Sequence, residues 1–307
     1  MKKALVLIAV AAVIFSSGCL EGIWPQGETV ITGKGVIVNM FEPDFPELEP
    51  DDKFDLYLEV ENIGGTDAKN TYAHLFNIDV SEWGNPTKTK SIGTLESPDE
   101  VAGIPGDIGE ATWELEAPTV PEGVVFKYQP KVRLMYDYQT IASATIPLME
   151  KSEYKRLKER DMLSVPPITT DVSKGPLAVT ISARTPIVID NYTEDTVEFR
   201  VNVDLLQKGG VFDPDHSSGD MNLTSDDMDK LKIKIDASGV EGEAETGSCN
   251  ASVNAVKEDL RRGKTLIYTC ELEAKEFSAS ASVPVTVILD YGYYEDLTTD
   301  IKVTARD

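Results

Sequence analysis

The chain has 307 residues, and its 53 acidic against 29 basic side chains give a formal net charge of -24. That charge repels polyanions at long range and excludes DNA or RNA as a steered partner. With 41% apolar and 27% charged residues, the composition is that of a folded globular chain, not of a disordered, collagen-like or polytopic membrane protein. At the usual ~100 to 200 residues per domain the length calls for two cores.

Met1, Lys2 and Lys3 form a basic start before the apolar run Ala4 to Phe15. The run is shorter than the ~20 residues that span a bilayer and has the length of an export-signal core. It ends in Ser16-Ser17-Gly18-Cys19, which resembles the lipobox of prokaryotic lipoproteins, although Ser16 stands where a branched aliphatic residue is usual. The resemblance implies cleavage that removes residues 1–18, a lipid on Cys19, anchorage to the membrane by that lipid, and a tether over residues 19–33. Simple secretion and an uncleaved membrane anchor are the alternatives.

From residue 34 the pattern is that of strands. Val36, Val38 and Met40 alternate with Ile37 and Asn39, and the run stops at an acidic, proline-rich arch. Phe54, Leu56, Leu58 and Val60 then alternate with Asp55, Tyr57, Glu59 and Glu61, giving a half-buried strand that ends in the turn Asn62-Ile63-Gly64-Gly65. Ala111, Trp113, Leu115 and Ala117 share a face, as do Val132, Leu134, Tyr136 and Tyr138, and a last strand runs from about Ile141 to Leu148. About seven short strands over residues 34–149 predict a Greek-key sandwich of immunoglobulin type.

Residues 150–175 read as a linker. Ser152 and Glu153 suit a helix start and Lys155, Arg156, Lys158 and Arg160 its C-terminal end, predicting a short exposed helix over residues 153–162 with Tyr154 and Leu157 on its docking side. Pro166-Pro167 and Gly175-Pro176 stop and stiffen it.

Residues 176–307 repeat the first unit. Phe199, Val201, Val203 and Leu205, ending in Gly209-Gly210, lie 145 residues after Phe54, Leu56, Leu58, Val60 and Gly64-Gly65. Val285, Val287, Leu289 and Tyr291 lie 153 residues after Val132, Leu134, Tyr136 and Tyr138, with Asp290 matching Asp137. Two matches at nearly one offset predict a tandem duplication with extra loop in the second copy. The expected fold is therefore all-β: two tandem immunoglobulin-like Greek-key sandwiches joined by a short helical linker and preceded by a cleaved signal peptide.

The segment LEPDDKFDLYLEVENIGGTDAKNTYAHLF, Leu48 to Phe76, resembles the opening of CARDB-type and related archaeal S-layer-associated immunoglobulin-like domains. Its proline, acidic turn, alternating apolar residues and Asn-x-Gly with a following alanine carry the likeness. The resemblance implies a secreted archaeal surface protein and transfers no catalytic residue.

Among candidate sites, Cys249 and Cys270 remain as an even pair once Cys19 is assigned to lipid. In an exported chain they read as a disulfide local to the second sandwich, with two buried thiols as the alternative. In the loop from Asp213 to Asp229, Asp213, Asp215, Ser217 and Asp220 echo the oxygen ligands of a calcium loop. Gly219 falls one position late and Thr224 stands where a bidentate glutamate is needed, so a solvated acidic insertion is the other reading. Asn191, Asn222 and Asn250 open three glycosylation sequons, all in the second unit. Tyr136, Tyr138, Tyr291, Tyr293 and Tyr294 invite a sugar-platform reading, but the phase of their strands favours packing at the end of a sandwich. Trp113 reads as core. His74 and His216, the two histidines, lack neighbours for a metal or nucleophile site, and no G-x-S-x-G, H-E-x-x-H or phosphate loop is present. The expectation is a non-catalytic, lipid-anchored protein on the outer face of the membrane, with a structural, adhesive or envelope-assembly role through contacts with other surface proteins. The alternative is a recognition module that binds a solute or glycan for a transporter or enzyme complex.

Overall fold

The computed structural model describes residues 28–29, 33–191, 195–237, 249, 254–274 and 276–305. Cys19, the leader and Asn250 lie outside the described residues.

The molecule is built almost wholly of strands. In the first half these are β1 (Glu28–Thr29), β2 (Val36–Pro43), β3 (Glu47–Leu48), β4 (Lys53–Asn62), β5 (Ala68–Phe76), β6 (Thr89–Leu95), β7 (Ile108–Glu116), β8 (Val125–Tyr128) and β9 (Lys131–Glu150). Helix α1 (Lys151–Glu159) follows, and the second half contributes β10 (Thr169–Val172), β11 (Leu177–Ser182), β12 (Ile187–Ile189), β13 (Thr196–Leu205), β14 (Gly210–Phe212), β15 (Lys230–Asp236), β16 (Val256–Asp259), β17 (Thr265–Glu273), β18 (Ser280–Thr298) and β19 (Ile301–Thr304). They form one ten-stranded sheet and the three-stranded sheets β2-β4-β7, β11-β13-β17 and β3-β19-β8.

The alternation that marked the strands is the alternation of burial. Phe54, Leu56, Leu58 and Val60 on β4 and Val197, Phe199, Val201 and Val203 on β13 are buried, while the residues between them face outward. Each of these strands is the centre of its small sheet: β2 and β7 flank β4, and β11 and β17 flank β13. The two small sheets thus share an arrangement, a central alternating strand flanked on both sides.

The two halves meet in a way the sequence pattern did not indicate. The separate strands expected near Val132–Tyr138 and Ile141–Leu148 are one 20-residue strand, β9, and β18 is likewise continuous over 19 residues. These two pair antiparallel along their length, from Lys131↔Thr298 to Met149↔Ser280. The N-terminal part of β9 carries β5, and the C-terminal part lies against β10 and β12. Reciprocally, β18 pairs with β15 through its middle and sends its C-terminal residues alongside the start of β9. Strand β19, near the end of the chain, pairs with β3 and β8 of the first half. Strands before residue 149 are hydrogen-bonded to strands after residue 176. Buried side chains from both halves form one continuous hydrophobic core.

Helix α1 starts two residues before the expected span and ends three before it. Its N-cap is Glu150, without a side-chain capping bond, and the Ser152 hydroxyl donates to the Glu150 carboxylate instead (3.1 Å). Glu153 in the first turn accepts from Arg156 one turn on (Nε to Oε2, 2.7 Å), and Lys151 pairs with Asp190. Tyr154 and Leu157 are half-buried and no helix residue is fully buried. The helix is an exposed connector held by ion pairs.

Candidate functional site

The register of the long pair places Tyr138 opposite Tyr291. These are the two positions that the sequence pattern matched at an offset of 153 residues. Tyr136, Tyr138, Tyr291 and Tyr293 are buried at this point, with ring centroids of Tyr136 and Tyr138 at 5.8 Å, Tyr136 and Tyr293 at 5.4 Å, and Tyr138 and Tyr291 at 6.1 Å. Packing is the reading the sequence favoured. Its place is the seam in the middle of the molecule and not the end of a sandwich, because β9 and β18 do not stop at these residues.

The tyrosines also explain the glycines of the two Gly-Gly turns. A Cβ on Gly64 would lie 1.8 Å from the Tyr138 hydroxyl, and one on Gly209 would lie 2.4 Å from that of Tyr293, so neither position has room for a side chain. Hydrogen bonds complete the arrangement. Tyr138 donates to the Lys174 carbonyl (2.9 Å), the Gly209 N–H donates to the Tyr293 hydroxyl (3.0 Å), and the Thr140 and Tyr291 hydroxyls share a bond of 2.8 Å. Asn62, fully buried, ties the first turn by accepting from the Gly64 N–H and donating to the Thr66 and Leu95 carbonyls. Burial raises the Tyr136 and Tyr291 hydroxyls well above the usual tyrosine pKa. Both therefore stay neutral through the physiological range.

On the opposite face of the seam lies a cleft of about 370 Å³ lined by Thr66, Asp67, Lys69, Asp137, Gln139 and Asp290, with Pro214 at its edge. Its acids Asp137 and Asp290 are engaged. Asp137 accepts from Asn70 (2.7 Å) and from Ser218, and Asp290 accepts from Gln139 (2.7 Å).

Ser218, itself buried, belongs to the acidic loop, which is pinned across the two halves. Asp213 meets Lys257 (2.8 Å), and Asp215 meets both Lys232 (2.5 Å) and Lys257 (2.7 Å). Hydrogen bonds from Lys232 and Lys257 hold Asp215 below its ordinary pKa. Burial pushes Asp213 up, but the Lys257 ammonium and the Asp215 N–H outweigh it and the net shift is downward. Bonds to Asp213 and Asp215 push Lys257 up to about 12.

Asp220 accepts from the Asn222 N–H and side-chain amide, and Ser217 accepts from the Gly219 N–H. The four residues named as calcium ligands are therefore engaged with lysines and loop amides. No group of three or more His, Cys, Asp or Glu able to hold a metal occurs among the described residues. Sequence reasoning missed Lys232, Lys257 and Ser218. The signal for Lys232 was the Lys230-Leu231-Lys232-Ile233-Lys234 alternation, which sets a row of cations beside the acids.

Cys249 and Cys270 are disulfide-bonded with Cα atoms 4.6 Å apart, and Cys270 sits on β17 opposite Phe199. Asn191 and Asn222 are exposed. Trp113 is buried and donates from its indole nitrogen to the Lys88 carbonyl (2.9 Å). His74 shares a bond of 2.8 Å with Thr89, and burial with nearby Lys88 and Arg133 lowers its pKa. His216 is bonded to the Asp220 carbonyl (2.9 Å).

The sheet β3-β19-β8 carries an exposed apolar edge. Strand β8 is an outer strand of its sheet, its register partner being β19. Val124, Val125 and Phe126 stand 38%, 54% and 42% exposed, a run of apolar surface that a solvent-facing strand does not usually carry. Phe126 stacks on Tyr128, which meets the buried Trp83 edge-on, so a rigid core supports this surface.

No family model matches this chain, and no curated protein matches it. Among solved structures it is similar to the secreted serine protease VesC from Vibrio cholerae, at 10% identity and a TM-score of 0.21 over 89% of this chain and 52% of that one. It is also similar to red sea bream transglutaminase, at 8% identity and a TM-score of 0.18 over 87% of this chain and 31% of that one. The CupB6 tip adhesin from Pseudomonas aeruginosa aligns at 10% identity and a TM-score of 0.14 over 90% of this chain and 97% of the adhesin. The chain spans about half the length of VesC and under a third of the transglutaminase. Likenesses of this size carry no functional argument.

Proposed function

We propose that this is a non-catalytic protein of the outer cell surface, lipid-anchored through Cys19, with an adhesive or envelope-assembly role. In this reading the two repeats are immunoglobulin-like Greek-key sandwiches related to CARDB-type domains and fused through the β9–β18 ladder into one stiff body. Glycans on the exposed Asn191 and Asn222 fit the same location. The observation that carries the reading is the exposed apolar edge strand β8, a template on which a partner strand adds by main-chain hydrogen bonds, with Val125 and Phe126 supplying apolar contact. The test is retention of the chain on isolated envelopes of its own cells, compared with Phe126→Lys. Loss of one buried aromatic anchor should weaken retention roughly tenfold or more, and equal retention of both proteins would overturn the reading.

A second reading, a recognition module for a polar solute or glycan, is favoured by the seam cleft, where Thr66, Asp67, Lys69, Asp137, Gln139 and Asp290 converge. It predicts that Gln139→Ala abolishes a saturable glycan-array signal while Phe126→Lys leaves it unchanged.

A further inference from the structure

Strand β1 shows from which end the chain enters the body. It runs parallel to β10, with Glu28 in register with Thr169 and Thr29 with Thr170, and β10 runs antiparallel to β9, with Asp171 opposite Ser143 and Val172 opposite Ala142. Continuing that register puts Glu28 level with Thr145, and the N-terminal end of β1 points along β9 toward Glu150, where α1 begins. At ~3.3 Å per residue, Glu150 lies ~17 Å beyond Thr145. Cys19 precedes Glu28 by few enough residues that a lipid on Cys19 holds Glu28 within ~30 Å of the bilayer surface even at full extension. With the strands along the bilayer normal, α1 is then at most ~13 Å from the surface, and any slack brings it within the ~8 Å over which charges act in physiological salt.

The helix at that end carries cations outward. At 3.6 residues per turn, Lys151, Lys155, Arg156 and Lys158 fall on the side away from the half-buried Tyr154 and Leu157, with Glu159 as the one acid among them. Glu153 is turned toward the body, its side chain 18% exposed against 43% for Lys151 and 48% for Arg156. Lys151 is shared with Asp190 and Arg156 with Glu153, while Lys155 and Lys158 have no carboxylate partner among the described residues. Lys158 lies over the Tyr154 ring at 5.5 Å, which keeps its ammonium at the surface. In a chain of net charge -24, this row of cations is held out from the body and opposed by little negative charge of its own.

From the entry direction and the charge together, we infer that the outward side of α1 rests on an anionic lipid surface, with the long strands β9 and β18 standing upright on the membrane. This placement rests on the lipid anchor proposed above and adds which end of the body faces the bilayer. Strand β8 lies at the Lys131 end of β9, since its partner β19 follows the end of β18 that pairs there. The exposed β8 edge is thereby lifted ~60 Å from the helix, the length of β9 at ~3.3 Å per residue. A partner outside the cell meets that edge first.

Cys19 is the one free thiol, because Cys249 and Cys270 are bonded to each other, so the chain from Cys19 onward can be coupled there to a maleimide lipid in vesicles. Lysine acetylation read by mass spectrometry then compares vesicles of phosphatidylcholine alone with vesicles containing phosphatidylglycerol. Lys155 and Lys158 should be labelled roughly fivefold or more slowly on the anionic vesicles, the effect of a single cation near such a surface, and 1 M salt should remove the difference. Lys127, exposed on β8 at the far end, should be labelled equally on both. In Lys155→Glu, an exposed substitution, Lys158 should lose its protection while Lys127 is unchanged. Equal labelling of Lys155 and Lys158 on the two vesicles would overturn the inference, and so would protection of Lys127 in their place, which would put the opposite end on the membrane. Because the coupling imposes the anchor, a chain from its own cells without lipid on Cys19 would overturn the anchoring reading separately.

Discussion

Tyr291 is held on both sides of its ring, by Tyr138 across the seam and by the Thr140 hydroxyl at its tip. Removing only the hydroxyl with Tyr291→Phe leaves the buried Thr140 oxygen without that partner and should cost about 1 to 2 kcal/mol, whereas Tyr291→Ala empties the ring's volume and should cost about 3 to 5 kcal/mol. Urea denaturation measures both, and near-equal losses would mean that the seam collapses around the cavity. The acidic loop offers a second test at this scale. Asp213 and Asp215 have lowered folded pKa values, so their contribution is present above the unfolded value of ~3.9 and is lost as pH falls through the folded values. Lys257 is raised to about 12, so its contribution is present below the unfolded ~10.4 and is lost as pH rises through that raised value. The side-chain carbon resonances of Asp213, Asp215 and Lys257 should hold steady from about pH 5 to pH 10. Titration of either aspartate near its unperturbed value would show that the ion pairs do not form.

At the scale of elements, the disulfide joins β17 to the segment before β16. Cys249→Ser with Cys270→Ser should lower stability by about 2 to 4 kcal/mol, the loop-closure value for a staple of about 20 residues, read from the shift in urea midpoint at unchanged slope. This pairing was legible in the sequence because one cysteine could be assigned elsewhere and two remained. Strands β4 and β13 were legible for a different reason: one face of each meets the core and the other meets water, so burial writes itself into a period of two. The partner of β9 was not legible. Residues 132–148 keep one phase throughout, but alternation records which face is buried and is silent on whose strand lies alongside. The acidic loop was legible as an insertion, and its fixed conformation was not, since Lys257 reaches it from β16 and Ser218 reaches Asp137 on β9, contacts that sequence distance does not suggest.

For the molecule as a whole, the shared ladder predicts a single cooperative unfolding event. Neither half completes its part of the large sheet without a strand from the other, so calorimetry should give one transition whose van't Hoff enthalpy matches the calorimetric one. Two resolved transitions would mean that the halves fold as independent bodies despite the ladder.

The same ladder sets an order of events during synthesis. The first half draws on residues 292–298 of β18 for its side of the large sheet and on β19, residues 301–304, to cover β3 and β8. A nascent chain that has emerged only through the first half therefore presents bare strand edges with nothing to pair them, and the first half cannot close until residues 292–304 arrive. Closure at such long sequence separation is slow. Under the proposed location outside the cell, that lateness is an advantage: the leading half stays unfolded and threadable until the trailing strand has crossed behind it.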